Sequence, residues 1–388
     1  MCTLLLILLL LGIGVLWIEA RHRLRPSSPL QLRPHDWKVL HTPKSIVVEG
    51  WLTITNPHQR MEVMVPELCV EPTLLGNNDL SFVNVQTKIT PHHPDEDSRP
   101  DGYWAAYIVK GHKSTRVKVL LTFSADDEVA INDRVDSVWV DVHWVNYGPF
   151  GRVHRRQGMV VPTHQPEPLQ VADASFRQGD GCAVLPIKTH LLGPLDNTVD
   201  VLKHYSAGVI QPGDVLTIGE TPVAVIQGRY AHPSTVQPSW IARLLCRVFH
   251  PTSSLATACG LQTLIDQVGP TRVLVAWSVG FVLKLVGQKG WFYRLAGDQA
   301  RLIDDITGTT PPYDQTIVLG PESPAELCNA AAETLGVSVA IVDVNDLGRV
   351  KVLASSRGCD EALLHRALKP NPAGNANERT PLVLVRPA

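Results

Sequence analysis

Residues 136–146 read DSVWVDVHWVN, and the even positions from Val138 to Trp144 are apolar while most odd positions are polar. Alternation with a period of two is typical of a β-strand that buries one face. Residues 115–124, TRVKVLLTFS, repeat the pattern. This part of the chain therefore predicts antiparallel sheet.

Several further runs of the same kind surround this stretch, and turn residues such as Asn56-Pro57 and Gly76-Asn77-Asn78 separate them. The predicted strands are Ser45–Asn56, Met61–Val70, Leu80–Thr90, Tyr103–Lys110, Thr115–Ser124 and Asp136–Asn146. Closely spaced short strands without a helical stretch predict an all-β, immunoglobulin-like sandwich over residues 44–161. We expect this domain to be a spacer or an interaction module.

The N-terminus is strongly apolar: residues 1–20 read MCTLLLILLLLGIGVLWIEA. About 20 apolar residues are needed to cross a hydrocarbon core of ~30 Å, which predicts a transmembrane anchor over residues 1–20. The alternative is a cleaved signal peptide, which needs a charged start and a small-x-small cleavage site. No Lys or Arg precedes the apolar run, so we favour the anchor.

Basic residues follow the anchor, with Arg21, Arg23 and Arg25 at the start of a predicted juxtamembrane linker over residues 21–43. Because Lys and Arg stay on the cytoplasmic side, we expect a single-pass protein whose body faces the cytoplasm. Seven cysteines without a Cys-x-x-Cys motif predict neither a disulfide framework nor a zinc site, which agrees with that side. A net charge of −2 gives no indication of nucleic-acid binding.

A Pro-bearing linker over residues 162–180 precedes a region of mixed pattern, and we predict an α+β domain over residues 181–388. The predicted strands are Val215–Ile218, Val223–Ile226, Val273–Leu285 and Val337–Val342. The predicted helices are Trp240–Phe249, Leu255–Val268 and Pro324–Leu335, the last capped by Ser323. For Val273–Leu285 the alternative is a second membrane span, but the run is short and contains Ser278, which favours a buried strand.

Three polar constellations in this region could carry chemistry. In the first, a Pro-Gly-Asp turn leads to a strand, and Glu220, Thr221 and Gln227 follow strand ends. Their oxygens are candidate ligands for a hard cation or a polar substrate, whereas such a turn alone is common.

The second constellation is Ile303–Gly308, where Asp304 and Asp305 stand side by side and suit Mg²⁺ or Mn²⁺; a helix cap or a solvated turn is the alternative. The third is Asp343, Asn345 and Asp346 after a buried strand, a favoured place for ligand chemistry in α/β sheets, although a polar turn would look the same. No Walker loop, GxSxG, HExxH or GxGxxG motif occurs.

The order of these constellations resembles the F420-0:gamma-glutamyl ligases of deazaflavin coenzyme biosynthesis, over roughly Val184–Val352. The resemblance rests on Leu185–Thr189, the turn at Pro212–Val215, Glu220-Thr221, Gln227-Gly228-Arg229, Asp305, and Asp343 with Asn345 and Gly348-Arg349. The last segment reads Asp-x-Asn-Asp-Leu-Gly-Arg, two residues longer than the Asp-x-Asn-Gly-Arg of the family.

The resemblance implies an acid–amino-acid ligase that uses GTP to activate a carboxylate as an acyl phosphate and joins it to L-glutamate. It also implies Mg²⁺ or Mn²⁺ held by Asp305 and Asp343. The implied substrate and nucleotide site contains Glu220, Thr221, Gln227, Gly228 and Asn345. The acceptor would be a deazaflavin or another glutamylated cofactor such as a folate. The oligomeric state is left undecided, with a homodimer as one alternative. A second hypothesis, from a different class, is a catalytically silent module that binds a ligand or partner at the membrane.

Overall fold

The computed structural model describes residues 2–23, 29–76, 79–99, 101–125, 131–288, 290–305, 311–374 and 378–388. Helix α1 spans Cys2–Arg23, and Thr3–His22 within it is long and apolar enough to cross a membrane. The apolar part of this segment is not buried against any other described residue. A signal sequence at the same place would share these properties.

A β-rich region follows α1. Its elements are β1 (Gln31–Thr42), β2 (Ser45–Thr55), β3 (Val63–Val65), β4 (Leu68–Leu75), β5 (Asn84–His92), β6 (Tyr107–Val109), β7 (Ser114–Ser124), α2 (Ile131–Arg134), β8 (Ser137–Gly148) and β9 (Gly151–Pro162). One sheet has the order β1-β2-β7-β5, and the other has the order β4-β8-β3-β6 with β9 paired to β8. Side chains from both sheets share one buried core, which makes the region a sandwich.

The alternating pattern that predicted these strands is visible in their burial. In β2 and β7 every second side chain is buried, as expected for strands with one face on the core. Residues 31–42, which we expected in the linker, instead form β1. This strand is at the edge of its sheet, where Pro34 is tolerated because its missing N–H faces no partner strand.

The remaining chain forms a mixed α/β region. Its elements are β10 (Arg177–Gly179), β11 (Cys182–Ile187), α3 (Thr198–Ser206), β12 (Val215–Gly219), α4 (Glu220–Ile226), β13 (Tyr230–Ala231), α5 (Trp240–Leu245), α6 (Ala258–Val268), α7 (Pro270–Leu285), α8 (Trp291–Ala296), β14 (Asp304–Asp305), β15 (Ile317–Val318), α9 (Pro324–Leu335), β16 (Ser338–Val344), β17 (Val350–Ser355), α10 (Glu361–Leu368) and β18 (Leu382–Pro387).

The central sheet has the order β10-β11-β18-β12-β16-β17, and β12 and β16 are its parallel pair. Helices α3 and α9 share a core with one face of this sheet, and α10 shares a core with the other face. A second, small sheet, β13-β15-β14, lies beside it. We call residues 240–301, which run from α5 through α8 between β13 and β14, the helical insertion.

Two strand predictions in this region were wrong. Val223–Ile226 belongs to α4, and Val273–Leu285 belongs to α7, which packs on α8. Short apolar runs do not distinguish a buried helix from a strand by periodicity. The helix Pro324–Leu335 is confirmed, but Ser323 makes no side-chain cap hydrogen bond.

The sandwich and the α/β region are in direct contact. The Tyr230 hydroxyl donates to the Gly158 carbonyl oxygen at 2.6 Å, and the Val160 N–H donates to the Tyr313 hydroxyl at 3.3 Å. The Tyr313 ring also meets Trp139 edge-on, with 5.1 Å between the ring centroids. Both tyrosines are buried, so the contact between the two domains is a packed core.

Candidate functional site

The parallel strands β12 and β16 end at the same edge of the central sheet. Gly219, the last residue of β12, pairs with Val342 of β16. Glu220 therefore follows one strand end, and Asp343 comes at the end of its neighbour. This edge is where open α/β sheets usually place ligand-binding groups.

Two further charged side chains reach this edge from other elements. Lys351 of β17 is the register partner of Asp343, and its Nζ lies 3.9 Å from Glu220 Oε2. Asp304 of β14 is close enough to Asp343 for the Asp343 charge to raise the pKa of Asp304. We call Glu220, Asp304, Asp343 and Lys351 the carboxylate cluster.

The carboxylate cluster contains three carboxylates and one ammonium group, and Glu220 is its least solvated member. Burial raises the pKa of Glu220 to about 7; Asp343 and Asp304 raise it as well, whereas Lys351 lowers it. The Glu220 side chain is only 13% exposed. Burial and then the Asp343 charge also raise the pKa of Asp304. A cation or a proton donor from a substrate would relieve this repulsion.

Asp305, the residue that the resemblance assigns to the metal, lies on the other side of β14 from Asp304, since adjacent strand residues point to opposite faces. Its Oδ2 accepts a hydrogen bond from the Thr257 hydroxyl, at the N-terminus of α6. Its Oδ1 is buried without a hydrogen-bond partner in the described chain. Ile306, Thr307 and Gly308, the rest of that predicted constellation, lie outside the described residues.

The carboxylate oxygens are suitable ligands for a hard cation, but they do not form a complete set of protein ligands around one. Within the described ranges, no three His, Cys, Asp or Glu side chains converge as a set of metal ligands. Mg²⁺ is commonly held by one or two carboxylates together with waters and substrate phosphates. Asp343 with Asp304 would suit that incomplete type of site, whereas Asp305 faces Thr257 on the other side of β14.

The other predicted site residues have mainly local contacts. The Gln227 side chain donates to the Glu322 carbonyl oxygen and accepts from the Glu322 N–H, at 3.1 and 2.7 Å. Gly228 has a φ of +67°, which favours glycine, in the turn after α4. Thr221 is half-buried in the first turn of α4. Asn345 Oδ1 accepts from two backbone N–H groups within the β16–β17 turn.

A separate cavity of about 380 Å³ lies between the sandwich and the α/β region. Arg155 and Arg156 of β9, Asp141 of β8 and His232 line it. Arg156 Nη2 lies 2.5 Å from Asp141 Oδ2, and Arg156 Nη1 lies 3.1 Å from His232 Nε2. Burial lowers the pKa of Arg155, whose Nε–H has no partner among the described residues. Sequence reasoning missed this cavity because it found no chemistry in the sandwich.

Comparison with protein families gives one decisive match. Residues 31–165 match the family described as "F420-0:gamma-glutamyl ligase, N-terminal Ig-like domain". The sandwich is therefore an immunoglobulin-like domain of the kind found in that ligase family. The match covers about a third of the chain and ends before the carboxylate cluster.

Other comparisons add little. The search of curated proteins finds no match. The GAE domain of GGA2p from Saccharomyces cerevisiae is 8% identical with a TM-score of 0.21, and the alignment covers 36% of this chain and 96% of that one. The CupB6 tip adhesin from Pseudomonas aeruginosa is 9% identical with a TM-score of 0.18, over 31% of this chain and 42% of that one. At these scores neither structure supports a statement about function.

Proposed function

We propose that this chain is a membrane-anchored γ-glutamyl ligase that uses a nucleotide and a divalent cation to add L-glutamate to a cofactor carboxylate. The observation that carries the proposal is the carboxylate cluster, with Glu220 largely buried in it, in a chain whose Ig-like domain matches the F420-0:gamma-glutamyl ligase family. The resemblance of Val184–Val352 to the same ligases supports it from the other half of the chain.

The reaction proceeds in two steps. An oxygen of the acceptor carboxylate attacks the γ-phosphorus of GTP, so that an acyl phosphate forms and GDP leaves. The amine nitrogen of L-glutamate then attacks the acyl carbon, an amide C–N bond forms, and inorganic phosphate leaves while the nitrogen loses a proton. A bound Mg²⁺ or Mn²⁺ offsets negative charge on the phosphates.

The residues of the carboxylate cluster have distinct roles in this proposal. Asp343 and Asp304 would hold the cation, whereas Asp305 faces the other side of β14. Glu220 accepts the proton that the amine nitrogen loses, because a carboxylate with a pKa of about 7 is matched to proton transfer at neutral pH. Lys351 holds the Glu220 carboxylate in place through their 3.9 Å contact.

Helix α1 serves as the membrane anchor in the proposal, with the body in the cytoplasm. The arginines at 21, 23 and 25 support this orientation, and no Lys or Arg precedes the apolar run. GTP is a cytoplasmic substrate, which agrees with that side. Protease protection in sealed vesicles tests it: digestion of the body from the cytoplasmic side is expected, and full protection would contradict it.

The catalytic test uses the full chain in lipid nanodiscs with GTP, Mn²⁺, L-glutamate and a deazaflavin that carries a terminal carboxylate. We expect phosphate release that requires L-glutamate, with a product heavier by one glutamyl residue. Asp343→Asn should abolish the turnover, whereas Asp200→Asn, at an exposed position of α3, should not change it. Turnover that is equal in Asp343→Asn and wild type would refute the assigned site.

The silent-module hypothesis is supported by the cavity between the domains, whose volume lies in the range of small-molecule sites. Calorimetry separates the two hypotheses. Binding of GTP with Mn²⁺ that is lost in Asp343→Asn supports the ligase. No binding of GTP at millimolar concentration, together with no glutamate-dependent turnover, would favour a ligand-binding role for the cavity.

A further inference from the structure

Helix α7 has an apolar face that nothing in the described structure covers. Val275, Val279 and Val282 recur at the spacing of one helix face, Val286 directly follows the helix, and all four are exposed. The opposite face carries the buried Val273 and packs toward α8. The helix is therefore apolar on two sides, and only one of them is used for packing within the protein.

Helix α5, which shares a buried core with α7, also exposes apolar side chains: Trp240 is 65% exposed and Leu244 is 53% exposed. Isolated apolar side chains are common on protein surfaces, but several exposed ones on two helices of one small core indicate an interaction surface. We call Trp240 and Leu244, together with Val275, Val279, Val282 and Val286, the apolar face of the helical insertion.

Basic residues surround the apolar face. The helical insertion contains seven Lys or Arg and two Asp, a formal charge of +5 in a chain whose net charge is −2. Arg243, Arg247, Arg272 and Lys284 are exposed beside the apolar residues. Long basic side chains next to valine, leucine and tryptophan are typical of helices that lie in the headgroup region of anionic membranes.

The length and direction of α7 favour a helix that lies on the membrane. Its 16 residues give a length of about 24 Å, less than the ~30 Å of a hydrocarbon core. Gly269, with a φ of +86°, separates α7 from α6, and the two helices are bent by 114°. This sharp bend turns α7 away from α6.

The helical insertion is near the end of the body to which α1 is attached. The His22 ring at the end of α1 stacks on Phe150 in the β8–β9 turn, with 4.5 Å between centroids. Five residues along β9, about 17 Å away, Arg155 donates to the Thr235 carbonyl oxygen just before α5. The segment that leads into the helical insertion is therefore about 17 Å along β9 from the contact with α1.

We propose that the apolar face of the helical insertion inserts into the surface of an anionic phospholipid bilayer, as a second membrane contact beside α1. Its valines and Trp240 enter the acyl boundary, and the surrounding Arg and Lys side chains bind lipid phosphates. The proposal does not depend on ligase activity, because the apolar face contains no residue of the carboxylate cluster.

Photo-crosslinking of the full chain in nanodiscs tests the proposal. A diazirine amino acid is placed at Val282, and the matched control carries it at Leu347, which is 93% exposed in the β16–β17 turn. In phosphatidylcholine with phosphatidylglycerol we expect lipid adducts at position 282 and not at position 347. Since basic residues near a membrane surface favour anionic lipid, the adduct yield should fall about fivefold or more in phosphatidylcholine alone.

A variant series completes the test. Arg243→Glu with Arg247→Glu should lower the adduct yield at position 282 in the anionic discs, with an unchanged circular dichroism spectrum. Crosslinks from position 282 to a second copy of the chain would overturn the proposal in favour of a dimer interface. Equal lipid labelling at positions 282 and 347 would overturn it as well.

Discussion

The substitution Glu220→Gln tests the charge balance of the carboxylate cluster through stability. The pKa of Glu220 is raised from an ordinary 4.5 to about 7 in the folded protein. One pKa unit corresponds to about 1.36 kcal/mol, so full ionisation of this buried carboxyl costs the folded state about 3 kcal/mol. Glutamine keeps the shape of the side chain and removes that cost.

The direction in which stability changes with pH follows from the protons that the folded and unfolded states bind. Between pH 4.5 and about 7 the folded state holds the Glu220 proton while the unfolded chain releases it, so stability falls as the pH rises through this window. From pH 5 to pH 8 the contribution of this one group falls by about 2.5 kcal/mol. Glu220→Gln should therefore lose less stability over that interval than the wild type, by about the same amount.

Urea titrations of the full chain in detergent micelles at pH 5 and pH 8 measure this difference. The matched control is Glu333→Gln on α9, where the carboxylate is exposed and its neutralisation should leave the pH dependence unchanged. If Glu220→Gln and wild type lose the same stability between the two pH values, Glu220 is not buried in excess negative charge. The role of Glu220 as a proton acceptor would then lose its physical basis.

Three further substitutions test the surroundings of the site. Lys351→Met should raise the pKa of Glu220 further. In urea titrations the free energy of unfolding should fall by about 0.5–1 kcal/mol at pH 8 and by less at pH 5. Tyr230→Phe removes the hydroxyl that donates to the β9 carbonyl oxygen and should cost about 1–3 kcal/mol; differential scanning fluorimetry should show a lower melting temperature. Asp214→Asn disrupts the ion pair in which the buried Asp214 accepts two 2.8 Å hydrogen bonds from Arg386. Urea titration should show a free energy of unfolding lower by about 3 kcal/mol or more, and an unchanged value would contradict the pairing.

The sandwich was predictable from the sequence because its strands bury one face and leave the other exposed. The sequences of β2 and β7 therefore alternate with a period of two, and their burial in the structure alternates in the same way, whereas β8 is buried on both faces. Strand β1 was missed because an edge strand tolerates Pro34 and basic residues that resemble a linker.

Helix α7 was missed for a different reason. Val273–Leu285 is apolar nearly throughout, because it has both a packed and an exposed apolar face, and such a run has no period that separates helix from strand. The local signals that mark its start are Gly269 and Pro270, which end one helix and begin the next.

The candidate site was predictable only where it depends on strand ends. Glu220 and Asp343 each follow an apolar strand, and neighbouring parallel strands bring their ends together. The presence of Asp304 rather than Asp305 beside Asp343 depends on the orientation of a strand of two residues. Lys351 belongs to the carboxylate cluster because it pairs with Asp343 in the β16–β17 hairpin. The sequence pattern does not determine that register.

The buried tyrosines between the domains affect how the two halves of the chain can be recombined during evolution. A gene fragment that encoded only the α/β region would expose Tyr230, Tyr313 and the apolar residues packed around them. Such a fragment would tend to aggregate. Recombination could therefore move this α/β region into another protein only with a substitute for the sandwich surface, and the two halves are expected to be passed on together.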